Sequence, residues 1–115
     1  MKFNVVCKRT YTVSNDEIKS FKEAMLEYLE EEMIESDELG EGEQLPYTID
    51  DIPDKIVEKV LAEVIQDAFD GDDYYCSGVN FDEYFGSITL NVYEEGVRDC
   101  VYEAVANWRT EMEKI

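Results

Sequence analysis

The chain has 115 residues, 29 of them acidic and 10 basic, which gives a net charge of −19 at neutral pH, and it contains no histidine. A charge of that sign repels nucleic acid and anionic membranes and steers basic surfaces inward, so DNA, RNA and lipid are not expected as direct ligands. Hydrophobic residues make up 44% of the chain, including eight Tyr, five Phe and one Trp, which predicts one packed domain over 1–115 and not an acidic disordered tail.

In chain order, Phe3, Val5, Cys7, Tyr11 and Val13 alternate with polar residues, the period of a half-buried strand. Ser14 and Glu17 then have the spacing of a capping box. A helix is expected to follow, with Ile18, Phe21, Met25, Tyr28, Leu29 and Met33 on one side, ending near Ser36. From Asp37 to Asp51 periodicity vanishes; Gly40, Gly42 and Pro46 mark a loop that Leu45, Tyr47 and Ile49 should pin to the body. A second helix should start around Asp51, with Pro53 in its first turn, and carry the stripe Ile56, Val57, Val60, Leu61, Val64, Ile65, Ala68 and Phe69 up to Gly71. Residues Tyr75–Phe81 and Ser87–Tyr93 read as two strands joined through the turn sequence DEYFG. The last helix runs from about Glu94 to Glu113, with Val97, Val101, Ala104, Trp108 and Met112 in register. The expected fold is α+β in the order β-α-α-β-β-α, a three-stranded antiparallel sheet with three helices on one face.

No apolar run approaches the roughly 20 residues of a membrane span, and the N-terminus MKFNVVCKRTYTV lacks a signal-peptide core. The three cysteines, Cys7, Cys76 and Cys100, show no paired spacing, which predicts thiols in a reducing, cytoplasmic compartment. Cys7 falls on an inward strand face and Cys100 near a helix stripe, so both read as small buried hydrophobes.

The charge is segregated. Residues 1–22 carry five bases and two acids, residues 23–54 carry thirteen acids and no base, and residues 67–83 add six acids and no base. Within the first block Glu23, Glu27, Glu31 and Glu35 recur every four residues, with Glu30 and Glu38 flanking the row. Carboxylates at that spacing face one another and destabilise a helix by about 0.2–0.5 kcal/mol per pair. Those near its C-terminal end also oppose the helix dipole, by about 0.3–1 kcal/mol where exposed. Four residues of helix rise about 6 Å, a pitch on the scale of the phosphates of a DNA strand, about 3.4 Å apart along the axis. The second block places Asp70, Asp72 and Asp73 beside Tyr74 and Tyr75, and tyrosine is favoured at interface hot spots. The competing reading of both blocks is a solvated face kept for solubility.

Reaction chemistry finds little to stand on. The lack of histidine removes Ser-His-Asp and Cys-His arrangements and the usual zinc sites. Asp70-Gly71-Asp72-Asp73 fails as an EF-hand loop, because Tyr74, Tyr75 and Phe81 occupy its fifth, sixth and twelfth positions. No glycine-rich phosphate loop occurs, and nothing singles out a carboxylate pair for glycoside chemistry. A non-enzymatic protein without cofactor or metal is expected.

Short, strongly acidic, tyrosine-rich and poor in histidine and cysteine, with blocks such as EYLEEEMIESDELGEGE, the chain resembles the small phage proteins that disarm bacterial nucleases, the anti-CRISPR and anti-restriction DNA mimics. The resemblance implies a stoichiometric inhibitor, acting in the host cytoplasm, that competes with DNA for the basic surface of a CRISPR effector such as Cas9 or of a restriction enzyme. On that reading the partner-binding residues are Glu27, Glu30, Glu31, Glu35, Asp37, Glu38, Glu41, Glu43, Tyr47, Asp70, Asp72, Asp73, Tyr74 and Tyr75. The alternative is an acidic adaptor that binds a basic cellular protein, such as a ribosomal or nucleoid component. Monomer and dimer are equally compatible with the sequence.

Overall fold

Strand β1 (Lys2–Asn4) and strand β2 (Thr10–Val13) open the fold, followed by helix α1 (Asn15–Glu35), a 3-10 turn (Ile49–Asp51) and helix α2 (Asp54–Phe69). Strands β3 (Val79–Asp82) and β4 (Ser87–Leu90) and helix α3 (Glu95–Glu113) complete it. This computed structural model describes residues 1–4, 10–69, 78–82 and 84–114.

Among the described residues the α+β class and the three helices agree with the sequence, but the sheet there has four strands in the order β1-β2-β4-β3 and is mixed. The first expected strand is two: β1 and β2 pair antiparallel, with Phe3 opposite Tyr11. Period-two patterning cannot separate one long strand from two paired arms, because Phe3 and Tyr11 point to the same buried face in either case. The second difference is that β4 runs parallel to β2, Val13 beside Ile88, while pairing antiparallel with β3. Parallel neighbours need a long crossover, which α1 and α2 supply. Strand β3 is described over Val79–Asp82, the expected strand residues Tyr75, Cys76 and Ser77 lying outside the described residues, and β4 stops at Leu90, where Asn91 begins the turn into α3.

Burial alternates along the strands. Phe3, Tyr11, Val13, Val79, Ile88 and Leu90 face inward, while Lys2, Thr10, Thr12, Asn80, Asp82 and Thr89 face solvent. The helices cover the apolar face. Phe21, Met25 and Leu29 of α1, Val57, Val60 and Leu61 of α2, and Val97, Val101, Ala104 and Trp108 of α3 join the sheet residues in one core. Helix α3 packs against both other helices and occupies the middle of the layer.

The start of α1 is half a capping box. Ser14 Oγ accepts from Glu17 N at 3.2 Å, but the Glu17 carboxylate reaches to the sheet, where Oε2 accepts from Leu90 N at 3.1 Å. Strand β2 has ended by then, and a backbone donor left without a strand partner is costly when withdrawn from water. Glu17 therefore ties helix to sheet, which sequence spacing alone could not show.

The end of α1 is a Schellman cap: Glu38 N donates to Met33 O at 2.9 Å and Asp37 N to Ile34 O at 3.2 Å. Asp37 takes the left-handed position at φ 62°, where glycine is preferred and other L residues are strained. Its carboxylate also sits at the negative end of the helix dipole. Asp37→Gly is expected to raise stability by about 1 kcal/mol, read as a rise of several degrees in thermal melting by circular dichroism.

Among the described residues no helix is long and apolar enough to cross a membrane. Cys100 is buried, and its thiol donates to Gly96 O at 3.0 Å; Cys7 and Cys76 lie outside the described residues.

Candidate functional site

The acid row of α1 is exposed along its length. Glu23, Glu27, Glu30, Glu31 and Glu35 all face solvent, opposite the buried Phe21, Met25 and Leu29. From Glu23 to Glu35 the row rises about 18 Å. Each four-residue step overshoots a full turn by about 40°, so the row is not straight but winds about 120° around the helix, in the right-handed sense of a DNA strand. Among the described residues, Glu27, Glu30, Glu31 and Glu35 make no side-chain hydrogen bond or ion pair within the fold. The phenol of Tyr28, between these acids, is pushed above the ordinary tyrosine range, first by burial and then by Tyr102, with Arg98 opposing and Glu27 and Glu31 adding to the rise. Its ring lies 4.3 Å from that of Tyr102.

The lower end of the ridge is different. Arg109, near the end of α3, reaches across to the acidic run: Nη1 donates to Glu32 Oε1 at 3.0 Å and Nη2 to Glu38 Oε2 at 2.9 Å and Oε1 at 3.0 Å. Ser36 Oγ donates to the same Glu38 carboxylate at 2.7 Å. Those hydrogen bonds, the serine first and the arginine second, hold the Glu38 carboxyl below its ordinary pKa. Glu38 is thus engaged within the fold, and a run that lacks bases in sequence borrows one from 71 residues away. Lys22 and Asp54 make a second tie, 2.5 Å between Nζ and Oδ1, from α1 to the start of α2.

Beyond the cap, Asp37, Glu41 and Glu43 are exposed on the loop. Leu39 is buried beneath them, and Leu45 and Tyr47 pack against the core. Tyr47 stands edge-on to Trp108, ring centroids 5.3 Å apart, so it acts as the pin of the loop more than as a projecting anchor. Thr48 N donates to Asp51 Oδ2 at 2.8 Å and closes the loop into the 3-10 turn. The structure therefore brings Glu27, Glu30, Glu31, Glu35, Asp37, Glu38, Glu41 and Glu43 into one continuous stretch from helix to loop. Asp70, Asp72, Asp73, Tyr74 and Tyr75 lie outside the described residues. Among the described residues no group of three or more Cys, Asp or Glu side chains is arranged to hold a metal ion.

Sequence reasoning missed two features. One is Arg109, which carries no local signal because its partners lie on another helix. The other is the aromatic pair in the β3–β4 turn, where Tyr84 is 90% and Phe85 75% exposed; two adjacent rings inside a turn sequence were a signal available in DEYFG.

A carboxyl pair bridges α2 and α3 away from the ridge. Burial raises the Glu103 pKa, and the charge and hydrogen bond of Glu63 raise it further, with Lys59 opposing. A carboxyl whose folded pKa is raised binds its proton more tightly in the folded state. Its stabilising effect is complete below the unfolded pKa and is lost as pH rises through the folded one. Glu103→Gln is therefore expected to melt higher than the wild type at pH 7. The difference should close as pH falls through the raised range, in melting curves recorded from pH 7 to 4. Glu38, with its pKa lowered, has the opposite sign: its contribution is present at neutral pH and disappears as pH falls through the depressed value.

Compared with known proteins, the chain matches no family model, and neither a curated protein nor a solved structure matches it significantly.

Proposed function

We propose that this protein is a stoichiometric inhibitor of a nucleic-acid-binding defence nuclease, a CRISPR effector of the Cas9 type first and a restriction enzyme next, and that it competes with DNA for the nuclease's basic surface. The observation that carries this reading is the state of the α1 acids. Glu27, Glu30, Glu31 and Glu35 are presented on a rigid helix, winding as a DNA strand winds, and make no ion pair among the described residues. A surface kept only for solubility would gain from interspersed lysines, since Glu–Lys pairs four residues apart stabilise a helix and Glu–Glu pairs destabilise it. In a Cas9-type effector the arginines that read the PAM must be open to incoming DNA, which makes them a reachable target for such a ridge. Arg109 supports the same role at one remove, because it ties Glu38 at the start of the loop to Glu32 of the helix and limits the conformational freedom lost on binding there.

The test is the order of addition. A Cas9–guide complex incubated with the protein before DNA should lose target binding and cleavage, whereas a complex already loaded with DNA should resist. The inhibition should weaken steeply between low and high salt. Equal inhibition in both orders would point to a block away from the DNA channel. If neither Cas9 nor restriction enzymes respond, and a ribosomal or nucleoid protein is retained at low salt only, the adaptor reading replaces the inhibitor.

A further inference from the structure

Two apolar features lie apart from the ridge and are not used by the proposed function. The first is the β3–β4 turn. Tyr84 and Phe85 project into solvent and pack edge to face on each other, centroids 4.9 Å apart. The turn that carries them is fastened: Asp82 Oδ1 accepts from Phe85 N at 3.1 Å, Gly86 takes a φ of 63°, and its carbonyl accepts from Thr12 N at 3.0 Å. Aromatic rings on a held turn lose little freedom when they dock.

The second is an open groove of about 1100 Å³ between the start of α2 and the last turns of α3. Tyr47, Ile56, Trp108 and Met112 form its apolar walls. After residue 22 the chain has five bases, Lys55, Lys59, Arg98, Arg109 and Lys114, and three of them line this groove. Of the acids on the same rim, Asp51 is held to Thr48 N and Glu111 lies 3.5 Å from Lys114. Lys59 also acts on the nearby Glu63–Glu103 carboxyl pair and has Glu58 beside it, while Lys55 makes no ion pair among the described residues. In a chain at −19, an apolar groove rimmed by lysine suits an acidic, aromatic occupant.

We propose that the occupant is a second copy of this chain: the Tyr84–Phe85 turn of one protomer enters the groove of the other, its Asp82 facing Lys55 and Lys59, and reciprocal insertion closes a two-fold dimer. Turn and groove share no residue, so one molecule can offer both at once. Each aromatic side chain buries roughly 150–250 Å². Four of them bury roughly 600–1,000 Å², and with the groove walls they cover the contact comes to the lower end of the roughly 1,200–2,000 Å² of a specific interface. The opposing force is the mutual repulsion of two −19 bodies. It acts over about 10 Å at 0.1 M salt and about 3 Å at 1 M, so the dimer tightens as salt rises. That is the reverse of the salt response expected for the acidic ridge on a basic partner, and this inference does not rest on the inhibitor reading.

Sedimentation velocity over a concentration series at low and high salt tests it, on the wild type, on the turn variant Tyr84→Ser/Phe85→Ser and on the groove variant Lys55→Glu/Lys59→Glu. All four positions are exposed, so circular dichroism should be unchanged. The expected result is a wild-type dimer favoured by salt, at least tenfold weaker in either variant. An equimolar mixture of the two variants should recover part of the association, because it restores one intact turn-and-groove contact. A wild type that stays monomeric at every concentration and salt, or a dimer indifferent to the turn variant, overturns the proposal.

Discussion

Gly78→Ala is expected to lower stability by roughly 2–5 kcal/mol, combining about 1–2 for a left-handed L residue with about 1–3 for overpacking. Gly78 sits at φ 94° just before β3, and its carbonyl accepts from Asn91 N at 2.7 Å, so it joins the start of one strand to the exit of the next. A Cβ added there would lie 2.7 Å from Glu94 Cβ, 2.9 Å from Val97 Cγ2 and 3.0 Å from Asn91 O. Val97 is fully buried, and Asn91 O is main chain, so neither can move aside cheaply. Gly42 is the internal control: its φ is 82°, but an added Cβ meets nothing within 4 Å. Gly42→Ala should therefore show only the conformational cost, about 1–2 kcal/mol. Chemical denaturation of the two variants separates backbone strain from crowding. Equal losses would mean that the packing of Gly78 against Glu94 and Val97 contributes nothing.

The second large effect concerns the ridge and has two opposed signs. Replacing Glu27, Glu31 and Glu35 with glutamine removes three like-charge contacts at i,i+4 spacing, Glu23–Glu27 included, worth about 0.2–0.5 kcal/mol each. It also removes a carboxylate from the C-terminal end of α1, worth about 0.3–1 kcal/mol. The triple variant should be roughly 1–2.5 kcal/mol more stable than the wild type. If the ridge meets a basic nuclease surface, the same variant should associate at least tenfold more slowly, within the roughly 10–10³-fold range of electrostatic steering. Its dissociation rate should change less, since steering acts on encounter. Gained stability with lost inhibition is the signature of a working surface that is kept at a cost to the fold. Gained stability with inhibition unchanged would reduce the row to a solvated face.

The helices were the most legible part of the sequence. Their stripes are long and periodic, and α1 and α3 end within a residue or two of the expected positions. The exposed acids of α1 were legible for the same reason, since a helix whose apolar side is known has its opposite side assigned. The sheet was less so. Its strands are only three or four residues long, and alternation marks which residues face inward without saying which strand lies beside which.

What the sequence by itself determined is the sign of the surface, the α+β class, and an acidic row set opposite Phe21, Met25 and Leu29. These follow from composition and from periods of 3.6 and 2 residues, which are local properties. What only the tertiary structure decided is the mixed four-stranded order, the reach of Glu17 to Leu90, and the division of the acidic run into two parts. Arg109 neutralises Glu32 and Glu38, while Glu27, Glu30, Glu31 and Glu35 stay open. The reason is distance along the chain: Arg109 is separated from those acids by 71 and 77 residues, and only the packing of α3 against α1 brings its guanidinium to them.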